Sequence, residues 1–178
     1  TDEGASWTHV AGATTATLSL TAVTVPMSGT QYRLQVFSCT PTPIISNTAI
    51  LTVNTNTAIN TQPSAVTLCS GSTSNFSVAA VGTGASYQWQ YAASCGGGFT
   101  NIAGATSASY SISGTAVSNA GAYQVVVTGA CNTVTSNFVA LVVNSPVAVT
   151  TQPADVSVCL PTNTTSISIA ATGTAVSY

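Results

Sequence analysis

The tripeptide Thr61-Gln62-Pro63 recurs, letter for letter, as Thr151-Gln152-Pro153, ninety positions further along the chain. The residues after each copy match too: Val66-Thr67-Leu68-Cys69 returns as Val156-Ser157-Val158-Cys159, and Ala85-Ser86-Tyr87 as Ala175-Val176-Ser177-Tyr178. The other half of the unit also repeats. Val10-Ala11-Gly12-Ala13-Thr14 answers Ile102-Ala103-Gly104-Ala105-Thr106, and Ser46-Asn47 through Leu51, Val53 and Asn54 answers Ser136-Asn137 through Leu141, Val143 and Asn144. A period near ninety residues is too long for a helical solenoid unit and suits a row of small independent domains. The phase predicts the C-terminal part of one domain over 1-54, a complete domain over 55-144, and the N-terminal part of a third over 145-178. Such a chain is expected as a window on a longer protein. The alternative is that the two part-domains complete each other between neighbouring subunits, by exchange of strands.

The central unit alternates with period two and carries no helical stripe. Ala65-Val66-Thr67-Leu68 reads as a first strand, with Pro63 tolerable just before it at a sheet edge. Phe76, Val78 and Ala80 mark a second. Tyr87-Gln88-Trp89-Gln90-Tyr91 is a third, with three aromatics on one face and two glutamines on the other. After the break at Gly96-Gly97-Gly98, a short edge strand is expected over Phe99 to Ile102. Tyr110 and Ile112, then Gly121 to Val127, then Val139, Leu141 and Val143 mark three more. Seven short strands in about ninety residues predict an all-β chain of sandwich domains, the first and last incomplete.

These residues resemble the immunoglobulin-like fold. Trp89 falls where that family carries its core tryptophan, and Gly121-Ala122-Tyr123 resembles its tyrosine corner. Val78 and Val125 fall at the two positions that hold the inter-sheet disulfide in antibodies, so the resemblance implies a Val–Val contact there. Thr61-Gln62-Pro63, Tyr87-Gln88-Trp89-Gln90, Ile102-Ala103-Gly104-Ala105-Thr106, Gln31-Tyr32-Arg33 and the Ser-Asn…Leu-x-Val ending are together similar to tandem bacterial Ig-like repeats. Those repeats occur in large secreted surface proteins of the Bacteroidota: adhesins, gliding-type filaments and cargo of the type IX secretion route. The resemblance covers essentially the whole chain and implies scaffolding rather than any one activity.

Composition narrows the function classes. Arg33, Asp2, Glu3 and Asp155 are the only charged residues, while serine and threonine make up close to a third of the chain. The apolar fraction is ordinary and patterned, which sets the chain apart from disordered polar segments. A surface with so little charge is poorly protected against association and suits a molecule packed in an assembly or carrying glycan. Asn75-Phe76-Ser77 and Asn163-Thr164-Thr165 fit the N-glycosylation pattern. One arginine and no lysine cannot neutralise a run of phosphates, so nucleic-acid binding is excluded. There is no apolar run of eighteen residues, hence no membrane-spanning helix in this segment. Five cysteines without metal-ligand clusters point to an oxidising, extracellular setting.

Catalytic and metal chemistry have little to work with. His9 is the only histidine and has no acid near it in sequence. Three carboxylates spread over Asp2, Glu3 and Asp155 fall short of the six to eight oxygens a calcium ion takes. The glycine run at 96–98 has no lysine and reads as a hairpin turn. No enzyme activity, metal or cofactor is expected. Trp7 and Tyr91, near strand or loop ends, are the candidates for stacking on a sugar.

The cysteines carry the most information. Cys69 belongs to the turn after the first strand and Cys131 follows the strand of Tyr123, so they fall at opposite ends of a sandwich. That strand spans about 25 Å, whereas a disulfide joins Cα atoms roughly 4.4–6.8 Å apart. Bonds between successive domains are favoured: Cys69 with the next domain's counterpart of Cys131, and Cys131 with the preceding domain's counterpart of Cys69. A Cys69–Cys95 bond and a bond from Cys95 to a neighbouring chain remain open. Strand exchange between subunits predicts Cys69–Cys39 and Cys131–Cys159 bonds. The expected function is a structural or adhesive segment of a secreted surface fibre, its partners being neighbouring repeats, identical subunits or surface glycans. A passive spacer in a large secreted enzyme and a glycan-binding module are the alternatives.

Overall fold

The computed structural model describes residues 6–39, 42–159 and 165–177; Asp2, Glu3 and the Asn163 sequon lie outside the described residues. The chain separates into two compact units, Thr1–Asn56 and Thr57–Tyr178. No α-helix occurs among the described residues.

In the first unit four two-residue strands form: β1 (Gln31–Tyr32), β2 (Gln35–Val36), β3 (Ile44–Ile45) and β4 (Ala49–Ile50). β1 pairs antiparallel with β4, and β2 with β3. One strand of the hairpin shifts partners at Ser46. There Leu34 N–H donates to Ser46 Oγ and Ser46 N–H to Leu34 O, both at 2.9 Å. The hydroxyl stands in for a carbonyl the bulge has displaced. None of the described residues in 6–56 is buried.

The second unit begins with β5 (Ala58–Thr61), β6 (Val66–Cys69), β7 (Ser74–Ser77), β8 (Ala79–Val81) and β9 (Ser86–Ala92). It continues through β10 (Thr100–Asn101), β11 (Ser109–Ile112), β12 (Gly121–Thr128), β13 (Thr133–Thr135) and β14 (Val139–Asn144). One sheet runs β10-β9-β12-β14-β6, with β13 also on β12. Facing it are the pairs β11-β7 and β5-β8. The first strand is thus divided between the two sheets: β5 pairs with β8 in one, and β6 lies parallel to β14 in the other. Pro63 sits in the crossing between them, where its missing N–H costs no ladder bond.

Burial follows the alternation. Trp89, Tyr123, Val125, Val127, Leu141 and Val143 point inward from one sheet and meet Phe76 and Val78 from the other. Trp89 is fully buried, and its Nε1–H donates to Ser107 O at 3.0 Å. Phe76 stacks on Tyr123 with ring centroids 4.8 Å apart. On the outer face of the same sheet Gln124 donates to Gln90 Oε1 at 2.7 Å, and Gln90 to Asn101 Oδ1 at 2.8 Å. Among the described residues the buried hydrophobic core side chains all come from residues 76–143, so residues 57–144 carry a complete core of their own.

The structure departs from the sequence reading in detail. The second strand breaks at Val78, whose N–H donates to Ala108 O at 3.0 Å. The edge strand expected over Phe99 to Ile102 shortens to Thr100–Asn101. Residues 133–135 add a hairpin piece that alternation alone does not mark.

The repeat is visible in backbone geometry. β15 (Ala148–Thr151) pairs with β16 (Ala170–Thr172) as Ala148↔Thr172, Val149↔Ala171 and Thr151↔Ala170, with an irregularity before Thr151. β5 and β8 pair as Ala58↔Val81, Ile59↔Ala80 and Thr61↔Ala79, with the same irregularity before Thr61. The Ser46 bulge of the first unit recurs at Ser136, where Val125 N–H donates to Ser136 Oγ at 3.0 Å and Ser136 N–H to Val125 O at 2.9 Å. The difference lies in burial. Val125 and Val127 are 0 % exposed, whereas Leu34 and Val36 at the matching places are 42 % and 50 % exposed.

Candidate functional site

Two ends of the complete unit gather the residues of interest. At the end where β12 begins, Tyr123 Oη–H donates to Asn119 O at 2.8 Å, four residues back, and Tyr91 Oη–H donates to Ala120 O at 3.1 Å. Each phenol holds down the short 3₁₀ turn Val117–Asn119 that feeds β12. Burial pushes the Tyr123 phenol up to about 12, with neighbouring Tyr110 and Tyr91 adding to the shift. Tyr91, Ile102, Tyr110, Ser118, Asn119 and Tyr123 line a shallow cleft of about 200 Å³. Both of the hydrogen-bonded phenols already serve backbone carbonyls, and the cleft has no acid or base.

At the other end the chain enters the domain through Thr57, which is buried. The Asn132 side chain reads its backbone as a neighbouring strand would. Thr57 N–H donates to Asn132 Oδ1 at 2.6 Å, and Asn132 Nδ2–H donates to Thr57 O at 3.1 Å. Thr57 fits only because two glycines face it. A Cβ on Gly82 (φ +140°) would lie 2.8 Å from Thr57 Cα, and one on Gly129 would collide with Thr57 Oγ1. The next repeat rebuilds this entry with Val147 and Gly173, where a Cβ would lie 2.8 Å from Val147 Cα.

The chain leaves the domain without a spacer. Asn144 is still in the ladder, in register with Cys69, and its carbonyl accepts Ser70 N–H at 2.9 Å. Ser145, the very next residue, is already bonded into the following repeat. Its N–H donates to Thr174 Oγ1 at 2.8 Å, and Thr174 N–H donates to its carbonyl at 3.2 Å. Sequence patterning passes over Asn132, Thr57, Ser145 and Thr174; aligning Gly82 with Gly173 is the signal that finds the entry.

The cysteines are all exposed. Cys69 closes β6 at the exit end. Cys131 lies in the turn between β12 and β13 at the entry end, so the length of β12, about 23 Å, separates the two levels. Cys95 follows β9 at the exit end. Three inter-strand steps, about 14 Å in all, lie between its strand and β6, which is twice the span of a disulfide. Cys39 and Cys159 occupy the matching turns of the first and third repeats. Trp7 has the Arg33 guanidinium 4.0 Å over its ring, so one face is covered. His9 and Asp155 are exposed. Among the described residues no group of three or more His, Cys, Asp or Glu side chains comes together to hold a metal. No helix there is long and apolar enough to cross a membrane.

Residues 58–145 match a family described as a domain of unknown function (DUF8696). No curated protein matches the chain. Among solved structures it is similar to an I-band fragment of titin, at 14 % identity and a TM-score of 0.48, over 58 % of this chain and 37 % of that one. It is also similar to the tandem Ig repeats of Dlar, at 16 % identity and a TM-score of 0.46, over 58 % of each chain. The chain spans little more than a third of the first two titin fragments it matches. The strand order, the divided first strand and the tyrosine corner make the complete unit an Ig-like β-sandwich.

Proposed function

We propose that this segment is a structural spacer: a row of Ig-like repeats, bounded near 54 and 144, that sets distance and carries tension in a secreted surface fibre. The observation that supports it is the junction at Asn144–Ser145, where one residue belongs to the ladder of one repeat and the next is bonded into the following one. A junction without free residues has little to bend with, so successive repeats add length rather than forming beads on a flexible thread. The near absence of charge, with most of the described serines and threonines outward, fits a fibre that packs against sister fibres through many weak contacts. Catalysis has no part in this reading. Extracellular placement is part of the proposal and is supported by the cysteine usage.

Small-angle scattering on chains of two, three and four consecutive copies of residues 55–144 tests the spacer. The maximum dimension is expected to rise by an equal step for each added repeat. Growth that falls off toward the square root of copy number would show flexible beads and defeat the reading.

A further inference from the structure

We propose that each junction is closed by a disulfide between the cysteine that ends β6 and the β12–β13 turn cysteine of the following repeat. In this chain's numbering, Cys69 would pair with the next repeat's counterpart of Cys131. The inference deepens the spacer reading and rests on it for the order of repeats.

Three observations place these sulfurs at one junction. Cys69 is in register with Asn144, the last residue of its domain, and one residue further on Ser145 is hydrogen-bonded to Thr174. Thr174 is the repeat counterpart of Thr83, and in the complete unit Thr83 O accepts Ala130 N–H at 2.9 Å. Ala130 adjoins Cys131, and Asn132 on the other side grips Thr57. A complete following repeat would therefore hang its turn cysteine on the Thr174 carbonyl, beside the junction that Cys69 borders. Within one domain the strands that carry these cysteines are set well apart. Cys131 lies a strand's length away, and Cys95 three strands across.

Recurrence supports the pairing. The position at the end of the first strand holds Cys69 and Cys159, and the hairpin turn holds Cys39 and Cys131, a cysteine at each of these places wherever the sequence includes it. One bond per junction uses that supply fully. Cys95 has no such partner series, since Glu3 stands at the matching place. The bond forms by loss of two protons and two electrons from two thiols. A disulfide oxidant such as glutathione disulfide accepts them and leaves as two glutathione thiols.

The test uses a chain of two consecutive copies of residues 55–144, each with its own complete core, oxidised with glutathione disulfide and mapped by digestion and mass spectrometry. The expected product is one intramolecular cross-link from Cys69 of the first copy to Cys131 of the second, with a loss of two free thiols. Cys69→Ser in the first copy should abolish it, and Cys131→Ser in the first copy should leave it intact. A Cys69–Cys95 link would overturn the proposal. So would cross-links mainly between molecules, or retention of every thiol by a chain whose melting shows both copies folded. Scattering from the reduced two-copy chain separates the two claims. A chain that is extended when reduced and keeps all its thiols after the oxidant is added refutes the disulfide alone, and a chain that is flexible when reduced refutes the spacer.

Discussion

Thr57 shows how a single residue can be placed for geometry at a cost in polarity. Its backbone is held by Asn132, but its hydroxyl is buried with no hydrogen-bond partner. An unsatisfied buried hydroxyl costs about 1–3 kcal/mol. Valine has nearly the same shape and stands at the matching place, Val147, in the next repeat. Thr57→Val is therefore expected to raise the stability of the complete unit by about 1 kcal/mol or more, read as a higher midpoint in thermal melting. Tyr123 gives a pH signature. Its phenol ionises near 10 in an unfolded chain and near 12 in the fold. Between those values the folded state keeps a proton the unfolded state has released. Stability present below pH 10 is thus lost as pH rises through about 12, by about 2–3 kcal/mol in all. Denaturant titrations from pH 9 to 12 should show that decline, and Tyr123→Phe should flatten it. Trp89 and Tyr123 were legible in the sequence, Trp89 through the alternation around it and both through the resemblance to the Ig-like fold. Thr57 and Asn132 were not, because a side chain that mimics a strand leaves no periodic mark.

Among the elements, the two interruptions matter most. The first strand divides at Pro63 so that β5 and β6 serve opposite sheets, and the last strand bulges at Ser136 so that β13 and β14 both reach β12. Alternation locates the strands at 66–69, 86–92 and 121–128 because each has an apolar face against the core. It misses β13, whose pairing is set by the hairpin turn and the bulge rather than by burial. Ser136 makes the bulge tolerable: it takes Val125 N–H and donates to Asn137 O at 2.9 Å. Ser136→Ala would strand the buried Val125 amide and is expected to cost about 1–3 kcal/mol, measurable by chemical denaturation. Ser46 plays the same part in the first unit, which is why the Ser-Asn motif stands out as a repeat in the sequence although its purpose does not.

For the whole molecule, the period near ninety residues is legible in the sequence alone, whereas the packing of residues 6–54 is not. Residues 6–54 keep the turns, pairings and bulge of a finished domain while leaving Leu34 and Val36 half exposed. Local hydrogen bonding there is intact and burial is absent. Under the proposed spacer role, tension on the complete unit would enter at Thr57 and leave at Asn144. Between them β6 and β14 lie parallel, from Leu141↔Val66 to Asn144↔Cys69. Opposed pulls on the two ends load that ladder along the strands, so its bonds share the force instead of opening one at a time. The most direct check is to stretch a multi-copy chain of residues 55–144 between a surface and a force probe. The account predicts that each repeat gives way in one abrupt step, lengthening the chain by roughly 25 nm, and that Thr67→Pro in β6 lowers the force of that step. Gradual lengthening at low force, unchanged by the proline, would contradict the claim that these repeats carry tension.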